Sequence, residues 1–397
     1  MSSLSYWQSS LGLPNTLTIA AAVDTLECDL CIVGGGIAGS SAAHWAAARG
    51  LRTVLLEARE AAMGATGRNA GFVLSGVADN YYRATVKYGR ENARELWQLS
   101  IENRSLMLDL AEALDVPCWR IGSLVLAESE EESDELRRSA ALLAADGFAG
   151  DYEADALRER GFFGGLRRPD DGTTQPAALS RALLAQSGAT VLEGTALRGW
   201  QSDGAGVVVR SDRATVRAKW LFLATNAWSA RIHRYFHGKV SPMRGQIYLT
   251  DPAPLLFDTA GYSHHGYYYF RQVPEADDPT RGRWLLGGAR HLNFDSENHV
   301  YDESIGDKVQ RDLEAWSAAH FPEFADLPIS HRWAGLMAFT PDGQPLVGTL
   351  PDEPRVGFAV GFNGHGMGLG ILVVRQALNL VLDGRPAPRF DARRFDA

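Results

Sequence analysis

Residues 28–57 constrain this chain more than any other stretch. Leu30, Cys31, Ile32 and Val33 follow one another without alternation, so 28–33 reads as a strand buried on both faces. Gly34, Gly36 and Gly39 then fit G-x-G-x-x-G at the start of a helical run over 37–49, with Gly50 as its stop. A second strand, 53–56, ends at Glu57. Each glycine has a task in a strand–helix–strand unit that binds a dinucleotide. Gly34 makes the tight turn, Gly36 lets backbone approach a pyrophosphate, and Gly39 lets helix and strand pack closely. Gly36, Ile37 and Ala38 form the helix N-terminus, where free N–H groups and the helix dipole favour an anion. Glu57, with Ala58 beside it, lies at the offset where an acid takes the ribose hydroxyls. A glycine-rich turn without a ligand would not need the acid at that spacing.

Three further segments separate a flavin from a nicotinamide. The glycine-rich stretch 64–72 (Ala65, Thr66, Arg68, Asn69 and Ala70 among it) directly follows the ribose strand. An elongated FAD bound along its whole length would need backbone there. Residues 221–228 read as a strand ending in small residues, Ala224 and Thr225, then Trp228. Ala196 is placed with them at the nucleotide. Gly364, His365, Gly366 and Met367 open the last apolar helix, 367–382. Its positive end could stabilise negative charge on the pyrimidine side of a reduced flavin.

Composition narrows the class. The net charge is −9, which argues against a nucleic-acid partner. The cysteines, Cys28, Cys31 and Cys118, are too few and odd in number for a disulfide framework, so a reducing, cytoplasmic setting is expected. Cys28 and Cys31 spell C-x-x-C but sit in an apolar strand with no second ligand pair; they read as small hydrophobes rather than a redox or metal motif. No metal site is expected. The apolar stretch 17–23 has no Lys or Arg before it, the first being Arg49, so it does not read as a secretory signal. No apolar run reaches the ~20 residues of a membrane span.

Along the rest of the chain, 1–25 reads as an arm with a turn at Pro14-Asn15. Helices are expected over 92–114, 128–145 and 177–187, and strands over 122–127, 191–192, 206–210 and 220–224. Residues 267–271 and 283–287 read as a strand pair. No repeat or long linker divides the chain. The expected division is an interleaved one: 26–80, 155–230 and 335–390 for the cofactor, 81–154 and 231–334 for the substrate.

With these markers the sequence resembles the D-amino-acid oxidase superfamily of flavoproteins, over about residues 28–384. Thr174-Gln175-Pro176, Pro242-Met243-Arg244-Gly245-Gln246, and Trp333-Ala334-Gly335-Leu336 leading to Thr340-Pro341-Asp342-Gly343 agree with it. Gly67-Arg68-Asn69 and Gly364-His365-Gly366 are closest in wording to the γ-glutamylputrescine oxidase branch. The resemblance implies an α/β fold: a glutathione-reductase-type Rossmann domain for FAD, interleaved with an α+β substrate domain on an antiparallel sheet. Some members attach flavin through a Cys, where this chain has Gly335, or through a His, where it has Arg68; non-covalent FAD is therefore expected. Family clamps for a substrate carboxylate are replaced by Met337 and Gly368, and the oxygen-activating Lys is missing from 284–288.

The resemblance implies FAD-dependent oxidation of a C–N bond in an amine or amino-acid-type substrate. Hydride would pass to flavin and the imine would hydrolyse, with oxygen or another acceptor taking the electrons. A flavin monooxygenase fits less well, since 361–370 has no Gly-Asp motif; a redox-idle FAD protein also stays open. The catalytic candidates are His365, Tyr269 and Arg290. His365 could equally pack against the cofactor. In the strand carrying Tyr267 to Phe270, alternate side chains face opposite ways. Arg244, Arg271, Arg290 and Arg332 are the candidates for an anionic substrate end.

Overall fold

A computed structural model describes residues 4–11 and 25–396. The expected turn at 14–15 and the apolar stretch 17–23 lie outside the described residues. Two large sheets face each other across the nucleotide loops. The first is parallel at its centre. Strand Thr25–Val33 runs between Thr53–Leu56 and Thr215–Leu223, with Ile32 opposite both Leu55 and Phe222. Thr190–Leu192 extends it beyond Thr53–Leu56, and Glu353–Val360 pairs with the end of Thr215–Leu223. Three antiparallel strands, Leu197–Ser202, Val207–Ser211 and Leu346–Leu350, complete the sheet.

Both faces of this sheet are covered, which is why its central strands are apolar throughout. Leu30, Ile32, Leu55 and Phe222 meet Ala42 and Ala46 of helix Ile37–Ala47 and Val374 and Leu378 of helix Gly366–Asp383. On the opposite face Cys31, Val33, Leu221 and Leu223 pack with Phe236 and Phe358. Cys28 belongs to that second layer, and burial pushes its thiol up to about 12. C-x-x-C is a packing feature here, as the sequence suggested. Gly366–Asp383 is long and apolar enough to cross a membrane, but most of it is packed inside the fold.

The second sheet runs Ile329–Phe339, Ser241–Pro254, Arg281–Gly288, Tyr268–Pro274, Ala260–Ser263, Ser123–Leu126, Gly165–Arg168, Asp151–Glu153. It is antiparallel except where Ala260–Ser263 runs parallel to Ser123–Leu126. One face carries Tyr248, Phe270, Trp284 and Leu286 against helix Asp307–His320 and Phe321. The other carries Ile247, Leu249, Tyr269 and Trp333, and turns toward Ala70, Phe72 and Leu74. Strand Gly165–Arg168 and the end of Ile329–Phe339 sit in this sheet, although the sequence division puts residues 155–230 and 335–390 with the cofactor.

The glycine roles can be checked by geometry. A Cβ on Gly39 would lie 1.8 Å from the carbonyl oxygen of Gly34, so any side chain there drives helix and turn apart. Gly50 has φ +68° but open space around it. Gly39→Ala is therefore expected to cost at least ~1–3 kcal/mol in urea unfolding and to lose cofactor, and Gly50→Ala only ~1 kcal/mol, from the left-handed backbone. Equal losses in the two variants would contradict the packing role given to Gly39.

Candidate active site

The turn at Gly34 is made by φ +108°, and a side chain there would strike the Ala224 carbonyl at 2.6 Å. The helix N-terminus that follows is partly pre-satisfied. Gly35 donates its N–H to Glu57 Oε2 at 2.7 Å, and Ile37 donates to Thr66 Oγ1 at 2.8 Å. The first helical bond is Ser40 N–H to Gly36 O at 2.9 Å. Among the described residues, the N–H groups of Ala38 and Gly39 have no protein acceptor. A Cβ on Gly36 would meet Thr66 Oγ1 at 2.9 Å. Bare N–H groups, a glycine cradle and a buried acid are the donor set that a pyrophosphate and a ribose require. Glu57 also accepts from Arg59 N–H, and burial raises its carboxyl above the usual range.

These residues open into one cavity of about 690 Å³, ample for a large ligand held in a mostly pre-formed site. The loop 64–72 forms one wall. Its Ala65–Arg68 turn is closed by Asn69, whose amide donates to Ala65 O and Thr66 O and accepts from Gly71 N–H. Arg68 is buried. It donates to Met63 O and Ala334 O, and lies 3.6 Å from Glu303. A Cβ on Gly335 would come within 2.8 Å of Arg68 Cβ. The loop and strand Ile329–Phe339 thus meet on the cavity wall at Arg68 and Gly335.

At the nucleotide end, Ala196, Ala224, Thr225 and Trp228 line the cavity as expected. Asn226, Arg231, Tyr301 and Glu303 line it too and were not anticipated. Arg231 stacks 3.8 Å from the Tyr301 ring centre, and Trp228 lies 5.4 Å from the same ring. Nothing local in 298–305 marks Tyr301 for this role. At the far end Gly364, His365, Gly366 and Met367 line the cavity at the start of Gly366–Asp383. His365 Nδ1 bonds Asn363 O at 3.0 Å, and burial lowers its pKa. Burial thus favours its neutral form.

The rest of the wall comes from the second sheet and the strand Phe72–Val73. Phe72, Tyr262, Tyr269 and Met337 face the cavity, with Gly245 and Gly368 leaving room between them. Burial raises both phenols, Tyr262 to about 12. Gly39 and Arg290 are the two predicted site residues outside this lining. Gly39 acts through packing. Arg290 opens the short helix Arg290–Asn293 that follows strand Arg281–Gly288, its guanidinium over the Tyr267 and Phe339 rings and donating to Met243 Sδ at 2.7 Å.

The other arginine candidates have different fates. Arg244 is held by Glu297 and Asp302, and Arg332 by Glu314 and Gln310. Arg271 is fully buried between the indoles of Trp7 and Trp119, with no hydrogen-bond partner. No group of three or more His, Cys, Asp or Glu among the described residues could hold a metal.

Comparison with known proteins agrees with this geometry. The family model described as FAD dependent oxidoreductase (DAO) matches residues 29–377. Gamma-glutamylputrescine oxidoreductase of Escherichia coli is 25% identical over 401 residues, covering 94% of this chain and 86% of that protein. Glycine oxidase of Geobacillus kaustophilus is 26% identical over 374 residues, covering 89% and 92%. A crystal structure of glycine oxidase from Geobacillus kaustophilus superposes with TM-score 0.79 at 25% identity, covering 93% of this chain and 98% of that one. L-proline dehydrogenase from P. horikoshii superposes with TM-score 0.79 at 21% identity, covering 94% and 98%. The fold and the cavity define a dinucleotide-binding flavoprotein. The chain belongs to the DAO family of FAD-dependent oxidoreductases.

FAD held by this cradle is expected to be lost in Gly36→Val, because the new side chain occupies the space between the loop and Thr66. The absorbance ratio of flavin to protein after purification is the measurement, and full flavin occupancy in the variant would contradict the assignment. From the wild type, acid is expected to release all the flavin, since the cavity lining includes no cysteine and its one histidine, His365, has Nδ1 engaged.

Proposed function

We propose that this protein oxidises the C–N bond of an amine or amino-acid-type substrate, with FAD held non-covalently. The observation that carries the reading is the substrate-side wall: Phe72, Tyr262, Tyr269 and Met337 close it with rings and a thioether, and among the described residues no carboxylate or lysine lines that end. When bound, FAD supplies a hydride acceptor beside the carbon next to nitrogen, and the imine so formed hydrolyses in water. The residues of the chain then have to position and dehydrate the substrate. A dry aromatic wall favours the uncharged amine, whose lone pair drives hydride departure. The phenols of Tyr262 and Tyr269, held neutral by burial, can orient the nitrogen by hydrogen bonding without placing a charge beside it. His365, neutral, can accept a proton at Nε2 when Nδ1 donates to Asn363 O. The 25% identity to gamma-glutamylputrescine oxidoreductase and 26% identity to a glycine oxidase support a substrate in this class. The three unpaired cysteines, Cys28 and Cys31 buried and Cys118 half-buried, support a reducing, cytoplasmic setting.

We also assign Arg290 as the contact for an anionic group on the substrate. Burial lowers its pKa, no carboxylate lies within ion-pairing distance among the described residues, and it is close enough to Tyr269, which lines the cavity, to interact with it electrostatically. The family clamps are absent from Met337 and Gly368, both of which line the cavity. A charge-assisted hydrogen bond is worth ~1.5–3 kcal/mol, or roughly ten- to a hundred-fold in binding. With those clamps missing, glycine and sarcosine are expected to be poor substrates. Arg290→Met is expected to raise KM for a longer, anionic amine by about ten-fold or more while sparing an uncharged amine. An anaerobic screen of amines following flavin bleaching tests both points; equal KM changes for charged and uncharged amines would remove the role from Arg290, and bleaching by none would sink the amine reading.

All four lysines pair with aspartates away from the cavity: Lys87 with Asp79, Lys219 with Asp29, Lys239 with Asp396 and Lys308 with Asp312. With His365 neutral as well, no compact cation stands at the flavin to steady charge on oxygen. Reoxidation of the reduced enzyme by air is therefore expected to be slow, as in a dehydrogenase. Stopped-flow mixing with air-saturated buffer reads this directly, and fast second-order reoxidation would contradict it.

A further inference from the structure

The segment before the first strand contains a four-residue helix, Tyr6–Ser9, that belongs to neither sheet. It is closed by a capping box: Gln8 N–H donates to Ser5 Oγ at 3.2 Å and Ser5 N–H to Gln8 Oε1 at 3.0 Å. Such a short helix has no stability of its own, yet Ser5, Trp7 and Gln8 are all at most 5% exposed. Their polar atoms explain why. Ser5 Oγ donates to Gly67 O, Trp7 Nε1 to Asn69 O at 2.6 Å, and Gln8 Nε2 to Ala62 O at 3.3 Å. All three acceptors lie at or just before the loop that walls the cavity. The opposite side of the helix is tied down as well: Gln175 Nε2 donates to Trp7 O at 2.7 Å, and the Trp7 ring covers the buried Arg271 guanidinium at 5.6 Å.

Other carbonyls of the loop are taken by its own Arg68 and Asn69 and by Trp333, whereas those of Ala62, Gly67 and Asn69 accept from the helix. A carbonyl in a tight, glycine-rich turn cannot be satisfied by a regular ladder, and leaving it buried and unpaired is costly. Gly67 shows how closely the helix fits, since a Cβ there would meet Gln8 Nε2 at 3.0 Å and Ala62 O at 2.1 Å. The same loop supplies Thr66 Oγ1, which orients the phosphate-binding helix through Ile37 N–H.

We propose that Tyr6–Ser9 is a clasp that holds the 62–71 loop in its FAD-binding shape, with Ser5, Trp7 and Gln8 as positioning residues that act on the cofactor through the loop carbonyls. The proposal rests on FAD binding and not on which amine is oxidised, so failure of the substrate reading leaves it standing. Trp7→Phe is the informative variant. It keeps a ring over Arg271 and removes the donor to Asn69 O, whereas Trp7→Ala would also uncover a buried cation.

The experiment uses holoenzyme at a temperature well below unfolding. FAD release is followed by the rise in flavin fluorescence, and the fold by far-ultraviolet circular dichroism on the same sample. In Trp7→Phe and in Ser5→Ala, FAD release is expected to accelerate about 5- to 50-fold while the dichroism stays native. A helix that merely plugs the core predicts that flavin is lost only together with the dichroism signal; that result, or an unchanged release rate, overturns the proposal. Hydrogen exchange on the wild type covers the case in which neither variant folds. Amides of residues 4–11 and 62–71 are expected to gain protection together when FAD is added to flavin-stripped full chain, and protection of 62–71 alone would equally overturn the clasp.

Discussion

Arg68 ties the nucleotide loop to the second sheet, whose Leu336 and Ala338 also pack against the first. The Arg68 guanidinium is almost wholly enclosed, donates to Met63 O on the nucleotide side and to Ala334 O on the second sheet, and lies near Glu303. A buried cation is costly unless its donors are used and its charge is balanced. Here carbonyls from both walls and a nearby carboxylate meet that need together. Gly335 permits the close approach, because a Cβ there would lie 2.8 Å from Arg68 Cβ. Trp333, two residues away, donates to Arg68 O at 2.9 Å and fixes the backbone of the same residue. The wall that faces the substrate is therefore positioned from the wall that holds the nucleotide.

Much of the nucleotide half was legible because its signals are local. The strand, the glycine turn, the helix and Glu57 lie within 30 residues, and each residue type answers to a backbone need at that point. The strand expected at 28–33 is Thr25–Val33, the helix expected at 37–49 is Ile37–Ala47, and the last apolar helix matches within a residue at each end. The second sheet was less legible. Ser241–Pro254 is a central strand that carries Pro242, Pro252 and Pro254, residues that argue against a strand when read along the chain. The structure accommodates the later two where the pairing register with Arg281–Gly288 shifts after Leu249.

Long-range partners were not legible at all. Arg244 and Arg332 look like anion binders in sequence, yet Glu297, Asp302 and Glu314 occupy them. Only folding brings those acids to them. The helix Tyr6–Ser9 was read as part of an irregular arm, since four residues have no usable periodicity. Its one local mark is Ser5 three residues before Gln8, a capping box with no apolar run after it. Arg231 and Tyr301 were missed for a similar reason: their stacking joins segments 70 residues apart.

Arg59, Arg68 and Arg231 line the cavity, Arg59 and Arg68 near Glu303, and the backbone adds to the charge they bring. The lysines are paired elsewhere, burial favours a neutral His365, and Arg290 stands outside the lining. Two helices, Ile37–Ala47 and Gly366–Asp383, present their N-termini to the same space. Each helix end carries roughly half a positive charge, fixed in direction and needing no counterion or protonation. A dianionic pyrophosphate at one end and a reduced flavin at the other are the two charges such a cavity must hold. Helix termini hold both without placing an ammonium near a substrate that has to be uncharged to react. In the hydride step proposed above, both helix ends would stay fixed in place while the lysines, paired elsewhere, add no compact charge beside the substrate.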